Sequence, residues 1–343
     1  MIGIESLGLA AVSAAFVVCA LVIAVVGTRL TNVADELADR TGLGEAVTGA
    51  VLLGAATSLS GIVLSITAAA GDQPELAMSN ALGGIAAQTV FLAMADVVYR
   101  RANLEHAAAS IANLAQAALL LGLLSLLLIG AYSPDVHWFG VHPITPILFV
   151  AYVFGLQLVR NAEAAPMWTP RRTHETRTDS PEENNKAMSL VRLWGGFFVL
   201  AAILGLTGYV LEGVASRLGN ATGMSDTAVG VVLTAISTSL PELVTSIAAV
   251  RRGALQLAVG GIIGGNAFDC LFAASSDIAY RDGSIYHAVS GDTLLWVALS
   301  VAMTAVLLLG LIRRQKQGIG NIGFESATLF GLYGAGILMV IRG

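Results

Sequence analysis

The chain has 343 residues, of which 56% are hydrophobic and 12% are charged, and its formal net charge is −5. Because an ordinary soluble domain carries about 25% charged residues, this composition excludes a typical soluble globular protein. The mean hydropathy of +0.77 favours a polytopic membrane protein, in which apolar runs of about 20 residues cross the hydrocarbon core as helices.

Ten apolar runs are long enough to span a bilayer, and they are too long for the strands of a membrane barrel. The first run follows Glu5 rather than a basic cluster, so we expect an uncleaved helix and not a signal peptide. We therefore predict an all-α polytopic membrane protein with ten transmembrane helices. The ten runs cover residues 6–28, 44–69, 75–98, 107–130, 143–160, 192–216, 224–250, 256–279, 289–312 and 321–341.

Basic residues divide unevenly between the two sets of loops that these runs define. The loops after odd-numbered runs contain 15 of the 18 Lys and Arg residues, and the other side contains Arg217, Arg281 and Arg342. By the positive-inside rule, the odd-numbered loops are cytoplasmic and both termini lie outside. We expect a bacterial inner-membrane protein with this orientation.

The longest polar stretch, "RRTHETRTDSPEENNKA" at 171–187, is rich in charged residues, Ser, Thr and Asn and has no apolar periodicity. This composition is typical of a flexible linker. We predict a first five-helix half at 1–160, a cytoplasmic linker at 161–191 and a second five-helix half at 192–343.

The two halves resemble each other when the sequence is aligned with itself so that position 41 falls on position 222. "TGLGEAVTG" at 41–49 then falls on "TGMSDTAVG" at 222–230, and "ATSLSGIVLSITAA" at 56–69 falls on "STSLPELVTSIAAV" at 237–250. The repeats start five spans apart, and five is odd, so the second copy enters the membrane from the opposite side. Inverted repeats of this kind are common in secondary transporters, whose sites lie at mid-membrane on interrupted helices.

The matching interruptions are Ser60–Gly61 in the second run and Pro241–Glu242 in the seventh. Proline has no N–H and its ring clashes with the carbonyl four residues back, here at Ser237. Carbonyl groups freed near Ser237 and Thr238 must face protein, water or an ion, because lipid cannot satisfy them. Glu242 adds a carboxylate at the same depth, and hard cations prefer such oxygen ligands.

The eighth run carries a second acid, Asp269, after the segment "GGIIGGN" at 260–266. Its glycines allow close helix approach, which would bring Asp269 toward Glu242. Two acids in the middle of neighbouring spans predict a cation site. The alternative is a proline kink beside a protonated or snorkelling glutamate.

The motifs "TSLPELVTSI" at 238–247 and "GGNAFD" at 264–269 resemble a signature repeat of the calcium/cation antiporter superfamily, which includes the sodium/calcium exchangers. The ten spans, inverted halves and outside termini are also similar to that family. The resemblance implies a sodium/calcium exchanger-like fold of two inverted five-helix repeats. It further implies secondary-active cation antiport by alternating access, with inorganic cations and the lipid bilayer as partners and no cofactor.

The resemblance also assigns an ion-binding set. It implies that Glu242 and Asp269 bind the cation through their carboxylates and that Thr57 and Thr238 bind it through nearby backbone carbonyls. The remaining members would line the site: Ser58, Ser239, Asn266 and Gln88.

The first repeat departs from the family pattern. It has Ser60–Gly61 in place of Pro-Glu and Ile85 in place of Asn, and glycines Gly84 and Gly265 replace a serine in both repeats. Two central carboxylates remain, and they balance one divalent ion, two monovalent ions or two protons. We therefore expect weaker Ca²⁺ binding and a lower stoichiometry than in the family's sodium exchangers.

The favoured function is exchange of a divalent cation, Ca²⁺ first, for Na⁺ or H⁺. One alternative is a cation/proton antiporter for another metal ion. Another is a non-transporting or channel-like protein that retains the exchanger fold. The sequence contains no phosphate-binding glycine loop, nucleophile elbow or nucleic-acid signature, so we expect neither an enzyme nor a nucleic-acid partner.

Several other polar residues are explained by structural roles as well as by ion binding. Asp96 and Asp277 occupy matching positions, either as a second cation site or as span-end ion pairs with a nearby arginine. The mid-span amides Asn80 and Gln116 are expected to form interhelical hydrogen bonds. The acids beside the second run are expected on a solvated loop face: Asp35, Glu36, Asp39 and Glu45.

Overall fold

The computed structural model describes residues 9–42, 45–176, 189–220, 235–318 and 322–342, and these are almost entirely helical apart from loops and one isolated bridge between Trp138 and Val141. The helices are α1 Leu9–Thr41, α2 Glu45–Thr48, α3 Gly54–Thr57, α4 Leu59–Ala70, α5 Pro74–Val98, α6 Leu104–Ala107, α7 Ile111–Tyr132, α8 Ile144–Ala164, α9 Leu190–Asn220, α10 Ala235–Thr238, α11 Leu240–Arg252, α12 Leu255–Ala279, α13 Gly291–Arg313 and α14 Phe324–Arg342. A π-helical turn, Gly49–Leu53, joins α2 to α3.

The predicted apolar runs coincide with these helices. Among the described residues, seven single helices are long and apolar enough to cross a membrane, and a bent pair, Ala46–Thr57 with Leu59–Ala70, adds an eighth. The run at 224–250 begins outside the described residues. The repeat segment 222–230 and residues 177–188 of the predicted linker also lie outside them. Helix α14 has a shorter apolar stretch, Phe324–Val340. The all-helical membrane fold is confirmed, whereas the count of ten and the division into halves stay predictions.

Helix α1 continues to Thr41, well beyond its predicted end at residue 28, so the expectation of a loop at Asp35, Glu36 and Asp39 is wrong. Asp35 is buried where it pairs with Arg252, the last residue of α11. A helix interior satisfies its own backbone, which allows α1 to continue past the apolar run. The side chain of Glu45 lies outside the described part of the chain.

Both mid-membrane interruptions lie two residues earlier than predicted, at Ser58 and Ser239. Ser58 has φ −79° and ψ 0°, and Ser239 has φ −91° and ψ 2°, so each residue leaves the helical conformation by the same rotation of ψ. The two halves of the first broken span meet at 50°. In the second, Pro241 offers no N–H to the Ser237 carbonyl, while Leu243 N–H still donates to Ser239 O. The two breaks occupy equivalent positions in the internal repeat.

Asp96 and Asp277 anchor loops at opposite ends of the bundle, a role that differs from both sequence-based alternatives. Asp96 Oδ1 accepts the Leu104 N–H at 2.6 Å, and Asp277 Oδ1 accepts the Ile285 N–H at 3.1 Å. The Oδ2 atoms of these aspartates each accept one further backbone N–H and one hydroxyl. Asp96 accepts the Gly323 N–H and the Ser326 hydroxyl, and Asp277 accepts the His142 N–H and the Thr145 hydroxyl. Gly323 and His142 are equivalent positions of the repeat, as are Ser326 and Thr145. These matched hydrogen bonds are consistent with an inverted repeat that extends beyond the two helix breaks.

Helix α12 is packed backbone to backbone against the first broken span. A Cβ on Gly260 would lie 2.5 Å from the Ala46 carbonyl oxygen, and one on Gly49 would lie 2.6 Å from the Leu257 oxygen. Contacts this short leave no room for any side chain. The glycines of "GGIIGGN" therefore allow α12 and the first broken span to pack in direct contact, which holds the site-bearing segments together.

We predict that Gly260→Ala destabilises the folded protein by about 1–3 kcal/mol, because the new methyl group overlaps backbone atoms that cannot swing aside. The matched control is Gly122→Ala at an exposed position of α7, where no neighbouring heavy atom lies within 4 Å of the added carbon. That change should be neutral or slightly stabilising, since Ala is the better helix former. Unfolding temperatures of the detergent-purified variants measure the difference, and equal values for both would contradict the packing argument.

Candidate cation-binding site

A small polar cavity lies where the two helix breaks face α5 and α12. The centre of a water molecule can occupy a volume of about 10 Å³ in this cavity, which is roughly enough for one water molecule or one bare ion. Residues from both halves line it: Ser58, Gly61, Asn80, Gly84, Gln88, Thr238, Ser239, Glu242, Asp269 and Phe272. Six of the eight ion-binding residues predicted from the sequence are in this set.

The two predicted acids meet at this cavity. Glu242, in the first turn of α11, is 2% exposed, and Asp269, in the middle of α12, is 1% exposed. The Ser58 hydroxyl donates to Glu242 Oε1 at 3.3 Å and also lies within hydrogen-bonding reach of Asp269. Because one hydroxyl has one hydrogen, Ser58 cannot satisfy both carboxylates.

Gln88 and Asp269 are counterparts in the internal repeat, and they contact each other across the centre of the molecule. Gln88 Nε2 donates to Asp269 Oδ2 at 2.6 Å and to the Ser239 hydroxyl at 3.5 Å. An amide in the first repeat thus supports the carboxylate of the second. The site is closed by side chains from equivalent positions of the two repeats, Gln88 with Asp269 and Ser58 with Ser239.

Asn80 lines the cavity and joins the two breaks, which sequence analysis did not predict. Its Nδ2 donates to the Gly61 carbonyl at 3.2 Å, and its Oδ1 accepts the Thr238 hydroxyl at 3.3 Å. The expected interhelical hydrogen bond of Asn80 is therefore present, as is that of Gln116, which donates to the Ala46 carbonyl at 3.1 Å. The sequence did contain a signal for this role, because Asn80 is a mid-span amide in the run that follows a predicted helix break.

Several buried oxygens around the cavity have no hydrogen-bond donor within the described residues. They are Glu242 Oε2, Asp269 Oδ1 and Gln88 Oε1. The residues described as lining this space include no Lys, Arg or His. Unpaired buried carboxylates are costly, so a site of this kind requires a bound cation or bound protons.

Two predicted site residues lie beside the cavity rather than on its lining. The Thr57 hydroxyl donates to the Leu53 and Gly54 carbonyls of its own helix. Asn266 donates to the Thr89 hydroxyl at 2.9 Å, and its Oδ1 has no donor in the described part of the chain. Both side chains are buried, and the Thr57 hydroxyl also lies within hydrogen-bonding reach of Glu242.

Phe272 fills the space opposite Glu242. Gly61 is the counterpart of Glu242 in the first repeat, and a Cβ built on Gly61 would lie 2.7 Å from the Phe272 ring. A glutamate at 61 would therefore displace this ring, which is 3% exposed. Nothing in the sequence of the first repeat indicated that an aromatic side chain from α12 occupies the position of the absent carboxylate.

Within the described residues, no group of three or more His, Cys, Asp or Glu side chains is arranged to hold a metal ion. The central site is therefore unlike a chelating cage of several acids. It combines two carboxylates with hydroxyl, amide and carbonyl oxygens, the neutral ligands that complete the shells of hard cations.

The sequence profile of the family described as "Sodium/calcium exchanger protein" matches residues 12–158 and 192–342. The chain is 28% identical to the "Inner membrane protein YrbG" of Escherichia coli over 269 residues, which is 75% of this chain and 76% of that protein. It is 29% identical to the "Sodium/calcium exchanger MaX1" of Methanosarcina acetivorans over 152 residues, covering 41% of this chain and 43% of that one.

The fold is also that of a solved exchanger. A structure of the sodium-calcium exchanger NCX_Mj superimposes with a TM-score of 0.68 at 19% identity, and the match covers 95% of this chain and 98% of NCX_Mj. At this identity the likeness establishes the fold alone. The family profile spans both halves around the described cavity. The chain is therefore an integral membrane protein that belongs to the sodium/calcium exchanger family of cation antiporters.

Proposed function

We propose that the protein exchanges one divalent cation, with Ca²⁺ as the favoured ion, for Na⁺ or H⁺ at the cavity between Ser58 and Ser239. The observation that carries this proposal is the set of unpaired acceptor oxygens on Glu242, Asp269 and Gln88 around a space for one ion. Carbonyl groups near Thr57 and Thr238 and the hydroxyls of the two serines would complete the oxygen shell. Alternating exposure of this site by the two inverted halves would carry the ion across.

Charge balance limits what the site can hold. Two carboxylates neutralise one divalent ion, two Na⁺ ions or two protons, and the lining supplies no basic side chain in the described structure. The charge-balanced states with one divalent ion and with two monovalent ions therefore have the same net charge. An exchange cycle between them moves no net charge across the membrane.

The proposed binding residues are tested by removing one charge at a time. We expect Glu242→Gln and Asp269→Asn each to reduce counter-ion-driven ⁴⁵Ca²⁺ uptake into proteoliposomes by about tenfold or more, because a ligand charge is lost while the shape is kept. Asp282→Asn, an exposed loop acid, is the matched control and should transport normally. Normal uptake by both cavity variants would exclude this cavity as the transport site.

The charge balance predicts electroneutral exchange. With equal Ca²⁺ and Na⁺ concentrations and pH on both sides of the vesicle, imposing a potassium diffusion potential should drive no net Ca²⁺ movement. Uptake driven by voltage alone would contradict the two-for-one stoichiometry. Ca²⁺ flux that proceeds with no counter-ion on the opposite side would instead indicate a channel-like protein.

Proton coupling is the specific competitor to sodium coupling, since a carboxylate that holds a cation in one state can hold a proton in another. The two are separated by driving uptake with a Na⁺ gradient at equal pH and then with a pH gradient in the absence of Na⁺. The same vesicles loaded with Mn²⁺ or Mg²⁺ test which divalent ion the cavity accepts, because cavity size and ligand number decide this selectivity.

The absent first-repeat acid gives a gain-of-function test. Gly61→Glu alone should destabilise the protein by overpacking against Phe272, by about 1–3 kcal/mol. Combining it with Phe272→Ala makes room for a third carboxylate, and we expect the apparent Ca²⁺ affinity to rise by about tenfold with ligand charge. The control is Gly61→Gln with Phe272→Ala, which has the same shape without the charge. Equal affinity in the two double variants would overturn the assignment of this position to the ion site.

The orientation in the membrane is part of the proposal. The 15-to-3 distribution of Lys and Arg supports outside termini and a cytoplasmic segment at 161–191. The name of the Escherichia coli relative supports a bacterial inner membrane. Where Na⁺ or H⁺ is more concentrated outside the cell, inward flow of that ion would drive the divalent ion out.

A further inference from the structure

Two glutamates that the proposed transport site does not use lie together at one end of the bundle. Glu105 belongs to the short helix α6, and Glu325 lies in the first turn of α14, beside the loop that Asp96 anchors. Both side chains are fully buried, with 0% exposure. The positive-inside rule places this end of the bundle on the cytoplasmic side.

The two carboxyl groups depend on each other for a side-chain hydrogen bond. Apart from the backbone N–H of each glutamate itself, no other residue in the described part of the chain donates a hydrogen bond to Glu105 or Glu325. The two side chains lie within hydrogen-bonding reach of one another. A carboxylate accepts hydrogen bonds only, so two ionised groups in this position would repel each other without compensation. One proton between them turns one acid into a donor and satisfies the contact.

The surrounding backbone is shaped for the Glu325 side chain. A Cβ added to Gly310 would lie 2.6 Å from Glu325 Cγ, and a Cβ added to Gly323 would overlap its carboxyl group. These two glycines, one from α13 and one from the preceding loop, leave the space that the acid fills. The carboxyl pair is therefore a built feature of this end of the bundle.

The inverted repeat shows that the fold does not need acids here. The positions equivalent to Glu105 and Glu325 at the opposite end are Tyr286 and Ile144. Tyr286 is 1% exposed and bonds the Thr145 hydroxyl at 2.9 Å, so the same packing is achieved there without a buried acid. The two glutamates are specific to one side of the membrane.

Two charged side chains act on the pair, Asp96 and Arg313, and their formal charges cancel. Asp96 accepts three hydrogen bonds and faces Glu105. Arg313 lies over the Phe324 ring, 5.1 Å from its centroid, and its charge acts on Glu325. The His106 ring is engaged by the Arg314 carbonyl and the Thr173 hydroxyl. With both glutamates ionised, the pair and these two neighbours carry a net charge of −2, and one shared proton lowers it to −1.

We propose that Glu105 and Glu325 form a carboxyl–carboxylate pair that binds one proton from the cytoplasmic side and ties α6 to α14. The oxygens of the nearby Asp96 are engaged by three hydrogen bonds, so the contact consists of two carboxyl groups that one proton can join. Loss of the proton places adjacent negative charges in a buried contact and loosens it. The proposal is independent of whether the central cavity carries Ca²⁺.

The direction of the pH dependence follows from Glu105. Burial, and then the charges of Asp96 and Glu325, raise the pKa of this carboxyl group well above its ordinary value of 4.5. The folded protein therefore keeps a proton that the unfolded chain releases, so the free energy of unfolding falls as pH rises above about 4.5. The fall ends once the folded pair is itself deprotonated.

Thermal unfolding of the detergent-purified protein between about pH 5 and 8 tests the proposal. The central acids also titrate, so the variants are made in a Glu242→Gln background. Adding Glu105→Gln or Glu325→Gln should remove about half or more of the remaining pH-dependent fall in unfolding temperature, because the amide donates the hydrogen bond permanently. Adding Asp282→Asn, an exposed acid, should leave the slope unchanged.

An unchanged pH slope in both glutamine variants would overturn the proposal. If neither variant folds, infrared spectroscopy of E242Q/D269N decides, since this protein retains the carboxyl pair but lacks the central acids. A neutral-carboxyl carbonyl band at neutral pH that shifts in D₂O supports the shared proton, and its absence contradicts it. Dependence of the slope on added Na⁺ or Ca²⁺ would identify a metal ion in place of the proton.

Discussion

A helix that breaks in the middle of a membrane must find partners for its backbone groups within the protein, because hydrocarbon supplies none. The rest of this structure follows from that constraint at Ser58 and Ser239. Asn80 bonds the carbonyl of Gly61 and receives the Thr238 hydroxyl, so one amide serves both breaks. The polarity gathered to satisfy the backbone also creates an environment at this depth in which a carboxylate such as Glu242 can be accommodated.

The two halves share a framework and differ in charge. Asp96 and Asp277 hold equivalent loops through equivalent partners, so the framework is retained at both ends. The differences lie in the buried acids: both central acids, Glu242 and Asp269, belong to the second repeat, and the pair Glu105 and Glu325 occurs at one end. The scaffold is therefore symmetric while its buried acids are not, and the two ends of the bundle carry different chemistry.

Hydropathy predicted the helices well, because burial in lipid imposes a strong demand on composition. The pairing of Glu242 with Asp269 was predictable from mid-span acids beside glycines. Three features of the structure were not predictable from the sequence. The end of α1 depends on a tertiary contact between Asp35 and Arg252, and the break at Ser58 occurs without a proline. The position of Phe272 depends on how α12 packs against α4, which no local pattern encodes.

The packing of Phe272 against Gly61 has a consequence for how this chain can change over generations. A single substitution that reintroduces an acid at 61 meets the ring of Phe272 before it meets any ion. The aromatic side chain must shrink first, and that step alone leaves a void in a tightly packed interior. An acid at position 61 therefore requires two substitutions in this chain, and each of them alone is expected to destabilise the fold.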